Sequence, residues 1–201
     1  MNTQKDQDEP KGPKGLETLI KSLSNEQNEG GAPVHLWDPP FCGDIDICIK
    51  KDGSWTYNGS PIKRHKLVKL FSSVLTINEA GEYFLVTPAE KVRIAVEDLP
   101  FVATSIEVRG ENQEQIISFS TNVGDHVLAN ENHQLELFSS AKDEEQKPSI
   151  HIRRGLKARI ARPVYYELAE LVKSDAANPP ETLGIWSAGH FFAMAKISDC
   201  P

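Results

Sequence analysis

The sequence of 201 residues has few cysteines and no long apolar run. Its three cysteines, Cys42, Cys48 and Cys200, are an odd number without paired spacing, which argues against a disulfide framework and favours a reducing compartment. The polar N-terminus has no apolar segment typical of a signal peptide, and no stretch has the length and apolarity of a membrane span. We therefore expect a soluble cytoplasmic protein without a membrane partner.

An excess of positive charge is also lacking, since the formal net charge is -7. A general nucleic-acid-binding protein needs a broad basic surface, so nucleic acid is not expected as a partner. The charge is unevenly distributed: residues 1–140 carry 13 basic and 21 acidic side chains, whereas residues 141–201 carry 9 and 8. Basic side chains are thus relatively concentrated in the C-terminal part.

Common catalytic and cofactor motifs are absent. The sequence contains no glycine-rich dinucleotide loop, no phosphate-loop lysine motif and no G-x-S-x-G nucleophile motif. Its six histidines and three cysteines show neither H-x-x-x-H nor C-x-x-C spacing. We therefore assign no catalytic residue, no metal ligand and no cofactor, and we expect a binding protein rather than an enzyme.

The sequence does contain one pattern that is used twice. Residues 43–75 and 148–172 each open with an alternating apolar strand, followed by a basic pair and a turn glycine. A second short strand and a helix start marked by proline follow in both segments. Arg64 and Arg162 hold the same place in the repeat, six residues before Leu70 and Leu168. The repeat predicts an α+β fold made of two related strand-strand-helix-strand-strand units.

Composition predicts three segments along the chain. Residues 1–33 are expected to be a disordered tail, a short amphipathic helix and a linker. The helix is indicated by the apolar spacing of Leu16, Leu19, Ile20 and Leu23, and we expect it to cover a sheet edge or an opening of the core. Residues 34–140 are predicted to form the N-terminal unit and residues 141–201 the C-terminal unit, with the charged segment 140–147 crossing between them.

The first hairpin of the C-terminal unit alternates apolar and cationic residues. Because side chains alternate along a strand, one face should carry the isoleucines and the other the cations. The cationic face consists of His151, Arg153, Lys157 and Arg159, with Arg154 and Arg162 nearby. Guanidinium groups bind phosphate or carboxylate bidentately, so this face is a candidate anion pocket. The alternative is that the face is solvated, or that it pairs with the acidic face carrying Asp44 and Asp46.

Further residues would complete such a pocket if it lies in a cleft between the units, where ligands preferentially bind. Trp55 or Tyr57 would stack on a ring of the ligand. Asn122, beside the turn residue Gly124, would add a neutral hydrogen-bonding group. An asparagine at this place is also typical of a turn residue that bonds its own backbone.

Asp44-Ile45-Asp46 places two carboxylates at i and i+2 on one strand, where they could chelate a hard cation. The pattern is similar to the aspartate pair of haloacid-dehalogenase-type phosphatases. That motif requires an apolar strand before the first aspartate and a Thr or Ser two residues after the second. Here Pro-Pro-Phe-Cys-Gly precedes the pair and Cys48 follows it, so the match fails at both ends.

Four segments taken together resemble one bacterial family, the domain of unknown function family 1285 (DUF1285). They are W-D-P-P-F-C-G-D-I-D-I, D-G-S-W-T-Y-N-G-S-P-I-K-R, T-N-V-G-D and G-L-K-A-R-I-A-R-P-V-Y-Y-E-L. The resemblance covers about residues 33 to 196. It implies a duplicated α+β core whose C-terminal unit looks superficially like a pleckstrin-homology fold. It also implies a ligand site between the units for a nucleotide-based molecule, and a role in signal transduction. No catalytic residues are assigned in the family.

From the residues and the resemblance we expect a regulatory protein that holds a small anionic, nucleotide-like molecule between its two units. Arg153, Arg154, Arg159 and Arg162 would bind the anion. Two alternatives stay open. One is a metal-dependent hydrolase or phosphotransfer enzyme that uses Asp44 and Asp46, and the other is a pure protein-interaction module.

Overall fold

The computed structural model describes residues 32–140, 143–174 and 182–196. The chain divides into two compact units. The first comprises the described residues up to Cys48 together with Trp55–Ala95. The second comprises Ile49–Ser54 and the described residues from Val96 onward, so it is assembled from two separate stretches of chain.

The described part of the first unit contains a six-stranded sheet and one helix. Its elements are β1 (Phe41–Ile49), β2 (Trp55–Tyr57), β3 (Ser60–Pro61), α1 (His65–Ser73), β4 (Leu75–Ile77), β5 (Tyr83–Val86) and β6 (Lys91–Val96), preceded by a 3-10 turn at Val34–Leu36. The strands lie in the order β3-β2-β1-β6-β5-β4. The chain therefore winds outward from β1 to one edge of the sheet and returns by way of α1 to the other.

Side-chain alternation decides which residues form the core of the first unit. Leu85 of β5 lies opposite Val92 of β6 in antiparallel register, and both are fully buried. From α1, the ring of Phe71 stacks on Trp55 at a centroid distance of 6.2 Å. Burying a large apolar side chain contributes about 1.5–3 kcal/mol, so this aromatic pair is a main attachment of the helix to the sheet.

Among its described residues, the second unit contains a six-stranded sheet, one helix and a three-stranded sheet. Its elements are β7 (Phe101–Arg109), β8 (Ile116–Thr121), β9 (His126–Leu128), β10 (Leu135–Ser140), β11 (Asp143–Arg153), β12 (Leu156–Ile160), α2 (Arg162–Glu170), β13 (Lys173–Ser174), β14 (Thr182–Ser187) and β15 (His190–Lys196), with a 3-10 turn at Asn112–Glu114. The six-stranded sheet has the order β10-β11-β12-β7-β8-β9. β12 and β7 are parallel, and Ala158 lies beside Phe101 at their junction.

The helix α2 and the three-stranded sheet β13-β14-β15 complete the second unit. Pro163 lies in the first turn of α2, and the helix buries Val164 and Leu168. Ser187 at the end of β14 is fully buried; it accepts a hydrogen bond from the Ile117 N–H at 3.0 Å and donates one to the Ala129 carbonyl at 2.8 Å. This hydroxyl therefore links the small sheet to the six-stranded sheet.

The predicted α+β class and duplication are confirmed, because each unit has a six-stranded sheet with one helix. The order β1-β2-α1-β4-β5 in the first unit corresponds to β11-β12-α2-β14-β15 in the second. The likeness of the C-terminal unit to a pleckstrin-homology fold stays a prediction.

The compact units of the structure are bounded differently from the units predicted with a boundary at residue 140. The second unit begins at Val96, so β7, β8, β9 and β10 belong to it rather than to the first unit. The segment 140–147, predicted to cross between units, instead contains the end of β10 and the start of β11. Charged residues are depleted in strands, but this propensity depends on context, so composition alone does not distinguish a strand from a loop here.

The predicted tail, helix and linker of residues 1–33 lie almost entirely outside the described residues. Within the part of the chain that the structure covers, no helix is long and apolar enough to cross a membrane.

Candidate functional site

The hairpin β11-β12 carries most of the predicted cationic residues. Its apolar residues are buried as expected: Ile150, Ile152, Leu156, Ala158 and Ile160. The cationic residues between them are half-buried: His151, Arg153, Lys157 and Arg159. In the antiparallel register, His151 lies opposite Lys157 and Ser149 lies opposite Arg159. The predicted alternation of apolar and cationic residues is thus present along the hairpin.

A register shift between His151 and Arg153 separates Arg153 from the other cations. Beyond it, Arg153 lies opposite Leu156 instead of following the pairing of His151 with Lys157. The guanidinium of Arg153 lies 5.0 Å from the centre of the Phe101 ring. It also forms an ion pair with Asp125 in the turn between β8 and β9. Arg153 is therefore held by an aromatic face and a carboxylate at one end of the sheet.

The turn that follows consists of Arg154 and Gly155, both with positive φ angles of 48° and 76°. Such angles suit glycine and strain other residues, so Arg154 is held in an uncommon conformation. Partial desolvation of the Arg154 guanidinium, together with repulsion from Arg153, lowers its pKa, although Asp125 acts in the opposite direction.

Arg159 interacts with a different part of the second unit. Its Nη2 donates to the Lys51 carbonyl at 2.8 Å, and its Nε lies 3.5 Å from a carboxylate oxygen of Asp98. The Asp98 side chain is only 7% exposed. Since a buried carboxylate is costly without a partner, Arg159 has a structural role in this arrangement.

Asn122 bridges two backbone segments of the second unit. Its Oδ1 accepts from the Val102 N–H at 3.0 Å, and its Nδ2 donates to the Gly53 carbonyl at 3.1 Å. Gly53 is buried with φ of 84°, and a Cβ there would lie 2.7 Å from Asn122 Nδ2. Both polar ends of the Asn122 amide thus bind distant backbone groups, whereas the turn-residue interpretation expected bonds to the backbone of its own turn.

His151 and His133 form a cluster that the sequence patterns did not indicate. The rings stack at 5.9 Å, and His151 contacts the Asn132 carbonyl through Nδ1 at 2.9 Å. Its Nε2 accepts the Gly155 N–H at 3.1 Å, which assigns the proton to Nδ1. His151 therefore supports the turn that carries Arg154. These contacts depend on the chain path between β9 and β10, which periodicity does not reveal.

The remaining predicted binding residues are dispersed. Trp55 lies in the core of the first unit with 1% exposure and stacks on Phe71, so it offers no surface to a ligand ring. Tyr57 is half-buried and Arg64 is exposed, both also in the first unit. Arg162 is exposed at the start of α2, where its Nε donates to the Tyr166 hydroxyl at 3.2 Å.

Asp44 and Asp46, the pair considered for metal binding, are exposed on β1. Both carboxylate oxygens of Asp44 accept hydrogen bonds from Arg93, at 2.8 and 2.9 Å. These bonds lower the pKa of Asp44. The residues described here contain no group of three or more His, Cys, Asp or Glu side chains arranged to hold a metal ion.

Two family profiles match consecutive parts of the chain. The first, the N-terminal domain of the domain of unknown function DUF1285, matches residues 32–99, and the second, the C-terminal domain of the same family, matches residues 100–194. The chain belongs to the DUF1285 family. The boundary between the profiles lies close to the start of the second structural unit.

Two solved structures of DUF1285 proteins are similar to this chain. The protein from Silicibacter pomeroyi DSS-3 is 41% identical, with a TM-score of 0.81, over 90% of this chain and 96% of that one. The protein from Shewanella baltica OS155 is 30% identical, with a TM-score of 0.49, over 63% of this chain and 91% of that one. No match is found among curated proteins.

In this DUF1285 chain the structure brings the predicted residues into two groups. Arg153 and Arg154 lie together at the β11-β12 turn near Asp125. Asn122 and Arg159 both bind backbone carbonyls of the stretch Ile49–Ser54. Arg154 is the exposed residue of these two groups, so the turn is the candidate site.

Proposed function

We propose that this DUF1285 protein is a regulatory protein that binds a small anionic, nucleotide-like molecule at the β11-β12 turn. The observation that supports the proposal is the adjacency of Arg153 and Arg154 at the β11-β12 turn, where Arg154 is exposed and Arg153 repels it. An anion bound there would reduce this repulsion and accept charge-assisted hydrogen bonds from guanidinium groups.

Local geometry favours Arg154 as the residue that contacts the ligand. Its side chain is exposed, whereas Arg153 is half-buried against Phe101 and paired with Asp125. Arg153 would position the turn and contribute charge, and Arg154 would reach the anion directly. The strained backbone of Arg154 is also consistent with a functional constraint at this position.

We propose binding rather than catalysis because Asp125 and His151, the residues at the turn that could move a proton, already contact other groups. Asp125 is paired with Arg153, and both ring nitrogens of His151 contact the backbone. Asn122, Arg159 and Trp55 are left out of the proposed site because their polar groups or faces are engaged in structural contacts.

The proposal is tested by thermal unfolding with inorganic phosphate, mononucleotides and cyclic dinucleotides, each compared with chloride at equal ionic strength. A ligand at a hundred times its dissociation constant stabilises the folded state by about 2.7 kcal/mol. We expect Arg154→Gln to lose that stabilisation. The matched control is Arg109→Gln, which alters another exposed arginine of the second unit. Equal stabilisation of both variants, or no stabilisation of the wild-type protein by any of these anions, would contradict the proposal.

A further inference from the structure

The helix α1 carries cationic side chains that no acidic residue balances locally. Between Asp52 and Glu79 the sequence contains no Asp or Glu, although the formal net charge of the chain is -7. All the basic side chains of that stretch are exposed in the first unit: Lys63, Arg64, His65, Lys66 and Lys69. We call these five side chains the basic face of α1.

The basic face of α1 has no internal partner. In the part of the chain that the structure describes, none of its five side chains forms a hydrogen bond or an ion pair. Other exposed cations are engaged: Arg109 pairs with Glu107 at 2.8 Å, and Lys173 donates to Asn112 Oδ1 at 2.6 Å. The charge of the basic face is therefore accessible to an external partner.

These cations oppose the stability of the helix that carries them. The N-cap residue Arg64 forms no side-chain capping hydrogen bond, and the first turn contains no acidic residue. Cations are unfavourable at this end of a helix, because its dipole places partial positive charge there. Lys69 lies three residues from Lys66 and four from His65, so these side chains are neighbours and repel one another. Such a conflict between sequence and local structure is expected at functional positions.

The surroundings of α1 restrict the chemistry of the partner. Phe71 is fully buried and stacks on Trp55, so the apolar side of α1 packs on the sheet and cannot insert into lipid, as an interfacial helix does. A nucleic acid requires a broader basic footprint, and a chain of net charge -7 repels an extended polyanion. From His65 to Lys69 the helix rises about 6 Å. Two or three residues of an extended segment span that distance.

We propose that the basic face of α1 docks a short acidic segment of another protein. Carboxylates of such a segment would meet several cations at once, and complementary charge of this kind raises the association rate in a salt-dependent manner. The surface belongs to the first unit, whereas the β11-β12 turn belongs to the second. The inference is therefore independent of the proposed binding of a small anionic molecule.

The first test measures binding of fluorescein-labelled octaglutamate to the full chain by fluorescence anisotropy at low ionic strength. We expect Lys66→Gln with Lys69→Gln to raise the Kd about fivefold. Arg109→Gln with Lys173→Gln removes the same charge and should change the Kd less than about twofold. Equal losses in the two double variants, or no binding to the wild-type protein, would overturn the proposal.

Two further variants separate docking from other roles. Arg154→Gln should bind octaglutamate like the wild-type protein; a loss there but not in the α1 double variant would place the peptide at the β11-β12 turn and overturn the proposal. Lys66→Glu puts a carboxylate in the first turn, where the helix dipole favours it. We expect its melting temperature to rise by about 1–3 °C while octaglutamate binding weakens. A lowered melting temperature would indicate a structural role for Lys66 instead.

Competing occupants are tested with the same α1 double variant. Duplex DNA and phosphatidylserine vesicles should bind the wild-type protein more weakly than octaglutamate does. Tighter binding of either one, lost in the double variant, would overturn the proposal in favour of that polyanion. Sedimentation should show the same oligomeric state for the wild-type protein and the double variant. A wild-type dimer that dissociates in the double variant would assign the basic face to a second copy of the chain.

Discussion

The guanidinium of Arg159 contacts Lys51 and Asp98 within the second unit, and its removal should lower the free energy of unfolding. Arg159→Ala removes the hydrogen bond to the Lys51 carbonyl and leaves the nearly buried Asp98 without its cation. We expect a loss of about 3 kcal/mol in the free energy of unfolding, as for a buried ion pair that has lost one partner. Urea unfolding measures it. The control, Arg109→Ala, removes an exposed pair with Glu107 and should change stability by less than about 0.5 kcal/mol.

Gly53 is a second residue whose replacement should be poorly tolerated. Its φ of 84° disfavours any side chain, and a Cβ would lie 2.7 Å from Asn122 Nδ2 and 2.8 Å from Val102 Cγ2. Gly53→Ala should therefore destabilise the protein by about 2 kcal/mol in urea unfolding. Gly59, also at a positive φ but with open space around its Cβ position, provides the control for the backbone contribution alone. Similar losses for Gly53→Ala and Gly59→Ala would show that packing against Asn122 contributes nothing.

Sequence alternation alone predicts which side chains of the β11-β12 hairpin are buried in the core. The position of Arg153 could not be predicted in this way, because one register shift changes its partner from the residue expected by simple alternation. The burial of Trp55 against Phe71 could not be predicted either. A tryptophan between polar residues fits a stacking surface, but the packing of Phe71 against its ring is a tertiary contact that local sequence does not contain.

Among the elements, the small sheet of the second unit depends on the hydroxyl of Ser187. Ser187→Ala would leave the Ile117 N–H and the Ala129 carbonyl without these partners in a fully buried position. We expect a loss of about 2 kcal/mol in stability, measured by thermal unfolding. Ser105→Ala, at an exposed position on β7, is the matched control. A loss no greater than that of the control would mean that the two sheets are held together without this hydroxyl.

An ion-pair network around Arg93 should make the first unit sensitive to acid. Hydrogen bonds from Arg93 lower the pKa of Asp44, and those from Asn78 and Arg93 lower the pKa of Glu82. Carboxyl groups with lowered folded-state pKa values stabilise the fold above their ordinary pKa, near about 4, and that stability is lost as the pH falls through the folded-state values.

The expected result is a decline in the unfolding free energy of the wild-type protein as the pH falls below about 5. In Arg93→Gln the decline should be shallower, because Asp44 and Glu82 lose the cation that favours their ionised forms. Urea unfolding at a series of pH values checks this. Arg109→Gln should keep the wild-type slope, and an identical slope in all three proteins would refute the assignment.

Elements were predicted well where periodicity and turn residues agree and poorly where they conflict. The hairpin β1-β2, with an Asp-Gly turn, and the helix α2, with a proline in its first turn, follow local rules. β10 and β11 extend through a charged segment whose composition is typical of a loop. Pairing with neighbouring strands overrides that composition, and pairing is a long-range property.

For the whole molecule, the discontinuity of the second unit leads to a further prediction. A fragment of residues 96–201 lacks Ile49–Ser54, which supplies the carbonyl acceptors of Asn122 and Arg159. We expect this fragment to show poorly dispersed amide resonances. A synthetic peptide of residues 46–58, added in trans, should restore dispersion, whereas the same peptide with Gly53→Val should not. A fragment that folds without the peptide would contradict the prediction.

The repeat in the sequence correctly predicted duplication, whereas the compact units of the structure divide at Val96 and not at residue 140. The repeated pattern covers only the hairpin and helix of each unit, while the second unit has four additional strands, β7 to β10, before its hairpin. Aligning the two repeats therefore assigns β7 to β10 to the first unit. The pairing of β12 with β7 and of β10 with β11 shows that they belong to the sheet of the later hairpin.

This arrangement has a consequence for how the protein is made. Ile49–Ser54 leaves the ribosome well before Asn122 and Arg159, the residues that bind it. Successive domains often fold one after another during translation. The second unit cannot do so independently of the earlier part of the chain, because it includes Ile49–Ser54. Ile49–Ser54 lacks these hydrogen-bond partners until Asn122 and Arg159 have been translated. Pausing of synthesis after residue 95 would consequently expose Gly53 and its neighbours to proteases or chaperones for as long as the pause lasts.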